Sequence, residues 1–297
     1  MKKNILICIW AILIAKIPLS QKSMAAELMV NDVLISYEDS GSGDAVVFVH
    51  GAISDRRVWS EYMAPISQNR RFISYDQRFF GDSIPEDGQT EFSADTHADD
   101  LISFVEALNL EKVSLVAWSY GGDVAARATI ARPDLFNAII YYEPDINGLI
   151  QGLPGAQRAT EKLYEHFGPA VEALEEGKLS DSALHFIEAV FMLEDGGAIN
   201  ESKEMVEVWK ENGKTLPHYL SASAGNKASC RKLGDVSIPA LVVVGSYGHT
   251  YDSMMAERLV ECKPKAVLAK MEGVNHDGPY RKPDEFIEEI DSFLSDI

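Results

Sequence analysis

From residue 26 onward, short runs of apolar residues alternate with longer segments whose apolar residues recur at helical spacing. Runs such as 45–49 (AVVFV) and 113–118 (VSLVAW) contain few polar residues, which predicts strands buried on both faces. The segment 97–110 instead places Leu101, Val105 and Leu108 on one helical face. Strands that alternate with helices in this way indicate an α/β fold with a mostly parallel sheet flanked by helices.

The same pattern divides the chain into a core and an insertion. We expect an opening hairpin that turns at Asn31 and Asp32, and a closing amphipathic helix over 286–297. Further strands are predicted at 72–75, 138–144, 239–246 and 266–272. Between 146 and 225 the strand signals stop and helical segments follow one another. We therefore interpret 26–145 and 226–297 as the core and 146–225 as an inserted helical cap.

The first 25 residues have the organisation of a secretory signal peptide. Lys2 and Lys3 precede an apolar run over 5–15, and the small residues Ser23 and Ala25 flank a possible cleavage point. The run is shorter than the roughly 20 residues of a membrane-spanning helix, although an uncleaved anchor that continues past Lys16 is the competing interpretation. We expect cleavage after Ala25 and a secreted or periplasmic enzyme.

Charge and cysteine content narrow the possible partners. The sequence has 27 Lys and Arg residues against 46 Asp and Glu residues, a formal net charge of −19. Such a surface repels nucleic-acid backbones and anionic lipids, so we expect neither nucleic-acid binding nor stable membrane association after signal removal. Cys230 and Cys262 are a potential disulfide in an oxidising compartment, or two buried thiols, and the sequence leaves both open. It leaves the oligomeric state open too.

The segment 117–121 (AWSYG) has the form small–x–Ser–x–small, with Ala117 in place of the usual first glycine. It lies between the predicted strand 113–118 and a helix that begins with Gly121 and Gly122. This arrangement is typical of a nucleophile elbow, in which a strained turn projects the serine hydroxyl and only small neighbours fit. The helix N-terminus adds partial positive charge where an oxyanion would develop. Ser119 is therefore a candidate nucleophile.

The chain resembles the α/β-hydrolase fold superfamily over nearly all of the expected mature protein. The resemblance is carried, in chain order, by HGAISDRRVW, DQRFFGDS, AWSYGG and GVNHDGPY. It implies that Ser119 is the nucleophile, that His276 is the general base, and that the backbone N–H groups of Ala52 and Tyr120 form the oxyanion hole. Dehalogenases and epoxide hydrolases of this fold carry aspartate at the elbow, so Ser119 argues against both activities.

A serine with a histidine base suits acyl transfer, so we expect a small-molecule carboxylic ester or lactone as substrate. Two alternatives remain on the same residues: a carbon–carbon bond hydrolase or cofactor-free haloperoxidase, and a homologue that binds a ligand without turnover. The aromatic neighbours Trp118 and Tyr120 suggest an apolar substrate of medium size, with Trp118 in contact with it. We expect no metal and no cofactor, since HExxH and clustered Cys/His patterns are missing from the sequence.

The third member of the triad departs from the commonest family pattern. That pattern places an aspartate three residues after the glycine that ends the penultimate strand, and here that position is Gly248. Some family members carry the acid after the preceding strand, where this chain has Glu143. We therefore predict Glu143 as the acid that orients His276. Asp252, for which an N-cap is the simpler role, and Asp145 remain the alternatives.

Overall fold

The computed structural model describes residues 25–85, 91–222 and 228–297. Residues 1–24 of the predicted signal peptide and the predicted cap boundary at 225/226 lie outside this part of the chain. The strands are β1 Ala26–Val30, β2 Val33–Gly41, β3 Ala45–Val49, β4 Arg71–Tyr75, β5 Val113–Trp118, β6 Phe136–Tyr142, β7 Ala240–Gly245 and β8 Ala266–Met271.

Helices connect these strands. They are α1 Ser60–Ile66, α2 Ala94–Ala107, α3 Tyr120–Ala131, α4 Ala156–Glu165, α5 Gly168–Glu175, α6 Leu179–Val190, α7 Lys203–Asn212, α8 Leu216–Ser221, α9 Cys230–Asp235, α10 Thr250–Cys262, α11 Gly278–Arg281 and α12 Pro283–Ser295. The described part of the segment between β6 and β7 contains helices and turns but no strand. Its status as a separate cap domain stays a prediction.

The strands form one sheet in the order β1-β2-β4-β3-β5-β6-β7-β8. β1 and β2 form an antiparallel hairpin that turns at Asn31 and Asp32, and β2 also pairs antiparallel with β4. The remaining pairings, from β4 through β3 to β8, are parallel. This confirms the predicted α/β-hydrolase architecture. The carboxyl ends of the parallel strands share one edge, where open α/β sheets bind ligands.

The sheet is buried on both faces because its strands direct apolar side chains to two separate cores. In β3, Val47 and Val49 belong to one core, together with residues of α2, α3 and α10. Val46 and Phe48 belong to the other, together with residues of α12 and the segment between β6 and β7. The nearly continuous apolar runs of the sequence thus follow from burial on two sides.

A disulfide joins Cys230, the first residue of α9, to Cys262, the last residue of α10. The sequence left open whether these cysteines form a disulfide or two buried thiols, and the structure favours the disulfide. In the described ranges, no helix is both long enough and apolar enough to cross a membrane.

Candidate active site

Ser119 occupies a strained turn between β5 and α3. Its backbone has φ 56° and ψ −125°, a region that non-glycine residues rarely adopt. Backbone hydrogen bonds over-determine the turn: the Ser119 N–H donates to the Tyr142 carbonyl at 3.1 Å, and the Ser119 carbonyl accepts from Asp145 at 2.9 Å. The strand, the turn and the helix agree with the elbow that the sequence predicts. The strain is sustained by the strand on one side and the helix on the other.

The small residues around the elbow are required by close backbone approach. A Cβ at Gly121 would lie 2.6 Å from the carbonyl oxygens of both Val49 and His50. A Cβ at Gly122 would collide with Pro144, and one at Gly51 would lie 3.1 Å from the Cβ of Ser119. The turn after β3 is thus pressed against the serine, so bulk at these positions would push the elbow out of place.

His276 lies in the loop after β8 and is held by Glu143. Its Nδ1 is 2.9 Å from Oε2 of Glu143, and both side chains are buried. The other carboxylate oxygen of Glu143 accepts from the Gly245 N–H at 2.8 Å. Glu143 itself has a positive φ of 38°, so this carboxylate is fixed by its own strained turn and by two donors.

The surroundings of His276 raise its pKa. Burial by itself lowers the pKa of His276, but the hydrogen bond to Glu143 and the nearby carboxyl groups of Asp252 and Glu143 outweigh it, so its pKa lies above the ordinary value. Because Nδ1 is engaged by Glu143, Nε2 remains to exchange a proton with another group. Ser119 and His276 line the same cavity.

The other two candidate acids have different surroundings. Asp145 accepts from Tyr251 Oη at 2.7 Å and from Tyr219 Oη at 3.3 Å, so its carboxylate is engaged away from the histidine. Asp252 is not the N-cap that we expected, because His249 occupies that position and Asp252 lies in the first turn of α10. It is buried, and burial followed by the charge of Glu143 raises its pKa to about 8.

Trp118, which we expected to contact the substrate, lies outside the cavity lining. Its indole N–H donates to the His276 carbonyl at 3.1 Å, and its ring stacks on Phe191 with centroids 6.1 Å apart. The reason is strand alternation: Trp118 ends β5 with its side chain on the sheet face opposite Ala117. Trp118 therefore supports the histidine loop. Tyr120, by contrast, does line the cavity.

The two predicted oxyanion donors flank the elbow. Tyr120 is the first residue of α3, and Ala52 follows Gly51 in the turn pressed against Ser119. Across the described residues, neither backbone N–H donates to another protein atom. Ile53, next in this turn, has a φ of 54°, which is rare for a β-branched residue and which the sequence did not indicate.

Sequence reasoning also missed the residues that hold the histidine loop. Tyr142 Oη donates to the Asn275 carbonyl at 2.6 Å, and the Asn275 amide donates to the Phe191 carbonyl at 2.8 Å. A Cβ at Gly278 would collide with the Tyr142 hydroxyl, so glycine is required there. Tyr142 directly precedes Glu143 in the sequence, but nothing in the sequence identifies its distant partners.

A cavity of about 1120 Å³ opens in front of Ser119 and His276. The segment between β6 and β7 supplies most of its wall, with apolar side chains that include Ile150, Leu163, Phe167, Phe186 and Leu216. Polar groups are placed at a few points among them, the arrangement expected of a small-molecule site.

Two groups of described side chains bring three possible metal-ligand atoms within 4.8 Å of one another. One is Glu143, Asp252 and His276, in which the Glu143 oxygens are already bonded to His276 and Gly245. The other is His185, Glu188 and Asp195, in which Nδ1 of His185 is 2.8 Å from Glu188. In each group the histidine Nδ1 lies within hydrogen-bond distance of the glutamate.

Comparison with known proteins gives matches along most of the chain. A non-haem chloroperoxidase of Kitasatospora aureofaciens is 40% identical over 97 residues, which is 32% of this chain and only 34% of that protein. A 2-(acetamidomethylene)succinate hydrolase of Mesorhizobium japonicum is 22% identical over 278 residues, 89% of this chain and 93% of its own.

The structure of Est816, an N-acyl homoserine lactone degrading enzyme, superposes with a TM-score of 0.65 at 23% identity, covering 90% of this chain and 100% of that one. The family model described as "alpha/beta hydrolase fold" matches residues 44–280, from the residue before β3 into α11. The chain therefore belongs to the alpha/beta hydrolase fold family.

Proposed function

We propose that the protein is a serine hydrolase that cleaves a carboxylic ester or a lactone through an acyl-enzyme. The observation that carries the proposal is the shared cavity of a serine on a strained elbow and a buried histidine paired with Glu143. Family membership and the hydrolase among the full-length relatives support hydrolytic chemistry. An ester or lactone is the substrate class that a serine nucleophile with a histidine base suits best.

The proposed mechanism assigns each group one task. His276 Nε2 removes the hydroxyl proton as Ser119 Oγ attacks the acyl carbon, and the Ala52 and Tyr120 N–H groups stabilise the oxyanion. The imidazolium then protonates the leaving alkoxide, which departs and leaves an ester on Ser119. Water attacks this ester with His276 again as base, and Ser119 is regenerated. Glu143 fixes the imidazole tautomer throughout and stabilises the positive charge whenever the imidazolium forms.

The test is a hydrolysis panel of p-nitrophenyl esters of increasing acyl length together with aliphatic and aromatic lactones. Ser119→Ala should lose at least about a thousandfold in kcat, with an unchanged circular dichroism spectrum, because only a hydroxyl is removed. Ser103→Ala, on α2 and outside the cavity lining, is the matched control. A fluorophosphonate probe should label the wild type and the control but not Ser119→Ala. Retained turnover in Ser119→Ala would place the nucleophile elsewhere.

We also propose that the protein is exported and begins near residue 26 when mature. The order of Lys2-Lys3, the apolar run and the small residues supports this, and the Cys230–Cys262 disulfide is consistent with an oxidising compartment. N-terminal sequencing of protein recovered from the extracytoplasmic fraction tests it. Soluble cytoplasmic enzyme with an intact Met1 would contradict the proposal.

A further inference from the structure

Two carboxyl groups, not one, lie beside His276. Glu143 follows β6, Asp252 lies near the start of α10 after β7, and His276 follows β8. One ligating atom from each of the three side chains lies within 4.8 Å of the other two, and all three residues are buried. A Cβ at Gly248 would be 3.2 Å from Glu143 Oε1 and 3.5 Å from Asp252 Oδ2, so both carboxyl groups border the same glycine. From the sequence, Glu143 and Asp252 were alternative partners of His276, and the fold brings both close to it.

The two acids cannot both be charged at low cost. Carboxylates that share a buried site repel each other, so one retains its proton to a higher pH. A negative charge is better stabilised on Glu143, because the Gly245 N–H donates to Oε1 and His276 Nδ1 lies within hydrogen-bond distance of Oε2. Burial and then the charge of Glu143 raise the pKa of Asp252 to about 8. Asp252 therefore keeps its proton to a higher pH than an ordinary aspartate.

The other titratable groups leave this arrangement in place. Asp145 opposes ionisation of Asp252 and His276 favours it, while His249 contributes a backbone hydrogen bond to its carboxyl. The other titratable groups that line the same cavity are Asp123, Arg127, Glu161, Tyr120, Tyr164, Tyr219 and Tyr251. Among the largest influences on the Asp252 carboxyl in the described chain, His276 is the group whose positive charge favours ionisation.

We propose that Glu143 and Asp252 form a carboxyl pair that shares one negative charge behind His276, and that Asp252 is a positioning residue able to supply the charge when Glu143 cannot. This inference rests on the proposed function, because it concerns the same histidine. Removing the Glu143 charge removes the repulsion on Asp252, which then ionises more easily and stabilises the imidazolium. Activity after loss of Glu143 thus depends on Asp252.

The experiment compares kcat of Glu143→Gln, Asp252→Asn and the double variant with a p-nitrophenyl ester. Glu143→Gln should be slower than wild type, and the double variant should be slower than Glu143→Gln by at least about a further tenfold. The control is Glu143→Gln/Glu257→Gln, which removes the same number of carboxyl groups. Because Glu257 is exposed on α10, this control should have the same kcat as Glu143→Gln alone. A double variant as active as Glu143→Gln, with both folded by circular dichroism, would overturn the proposal.

A second measurement does not depend on Glu143 variants folding. The pH profile of kcat/KM should show an inflection near pH 8 in the wild type that is absent from Asp252→Asn. If the role of Asp252 were only structural, Asp252→Asn would lower activity without changing the pH profile. An inflection that is unchanged in Asp252→Asn would refute the carboxyl pair. Ser119→Ala distinguishes the two proposals: if it keeps full turnover, the proposed function fails, whatever the carboxyl variants do.

Discussion

Gly121 shows how one missing side chain determines the geometry of the elbow. The position where its Cβ would stand lies against two backbone carbonyls at the end of β3, and a backbone in a central strand has little freedom to retreat. The same strand continues into the turn that carries Ala52. Bulk at Gly121 would therefore displace both the nucleophile and one proposed oxyanion donor.

Gly121→Ala should lower the free energy of unfolding by about 1–3 kcal/mol, as expected for overpacking. It should also reduce kcat by about a hundredfold, because misplacement of reacting groups is costly. Urea denaturation and the ester assay measure the two effects. Gly168→Ala is the control, since a Cβ there would meet no heavy atom within 4 Å. If Gly121→Ala resembles Gly168→Ala in both assays, the close approach does not constrain the elbow.

His97 is a buried histidine whose neutral form the fold requires. Its Nδ1 is 2.7 Å from Tyr120 Oη, and its ring lies among Phe79, Phe80 and Phe92. Burial, and then the nearby positive groups, lower its pKa to about 3. The unfolded chain has an ordinary histidine pKa of about 6.5, so it takes up a proton first as the pH falls. The stability from neutral His97 is therefore complete above about pH 6.5 and is lost as the pH falls toward 3.

His97→Gln should remove this pH dependence while keeping a partner for Tyr120. Between pH 7 and pH 5, the wild type should lose about 2 kcal/mol more unfolding free energy than the variant. Urea denaturation at pH 7 and pH 5 measures the loss of unfolding free energy for each protein. His50, also buried with a pKa lowered to about 4, is present in both proteins and cancels. Equal losses in the two proteins would mean that folding does not lower the pKa of His97.

At the level of elements, the disulfide ties α9 to the end of α10, the helix that carries Asp252. Its closed loop spans a sequence separation of 32 residues and includes β7. A crosslink of this span restricts the unfolded chain, which stabilises the fold by about 3–4 kcal/mol on the chain-entropy account.

Reduction of the wild type, or Cys230→Ser/Cys262→Ser, should lower the unfolding free energy by about 3–4 kcal/mol. Denaturant titration with and without a reductant measures the loss. The double serine variant is its own control, because the reductant should leave it unchanged. A wild type that is equally stable in both redox states would show that the crosslink adds nothing to this fold.

The elements that the sequence predicted well are those with a strong local pattern. β3 and β5 are runs of buried apolar residues, and α2 has a clear apolar face, so each could be located before its neighbours were known. Short α1, which includes Pro65, has no such pattern and was not predicted. The cysteine pair needed geometry, because no local signal distinguishes a bridge from two thiols.

At the scale of the whole molecule, the sequence located the candidate site residues but not their mutual arrangement. The roles of Ser119, His276 and Glu143 were predicted from the resemblance of their motifs to the α/β-hydrolase family, and the parallel topology brings the ends of the strands that precede them to one edge. The direction of Trp118, the bonds of Asn275 and the approach of Asp252 depend on contacts between segments far apart in sequence. Local periodicity contains no information on such contacts.

The cavity lining, like the chain as a whole, has more acidic than basic side chains. Among its described lining residues, the carboxyl groups are Asp123, Asp145, Glu161 and Asp252, and Arg127 is the only Lys or Arg side chain. Arg127 is bound to Asp123 at 2.9 Å and to Asp95 at 2.6 Å, so its charge is already compensated. A substrate carboxylate would thus be desolvated next to like charges without a free cation to receive it.

We therefore expect neutral esters to be preferred over anionic ones of similar length. kcat/KM for p-nitrophenyl butyrate should exceed that for p-nitrophenyl hemisuccinate by at least about tenfold, the ratio that 1.4 kcal/mol of repulsion produces. Asp145→Asn should narrow this ratio, because it removes a charge from the cavity wall. Glu288→Gln, an exposed position on α12, removes the same formal charge away from the cavity and should leave the ratio unchanged. Equal turnover of the two esters by the wild type would mean that the acidic wall does not select the substrate.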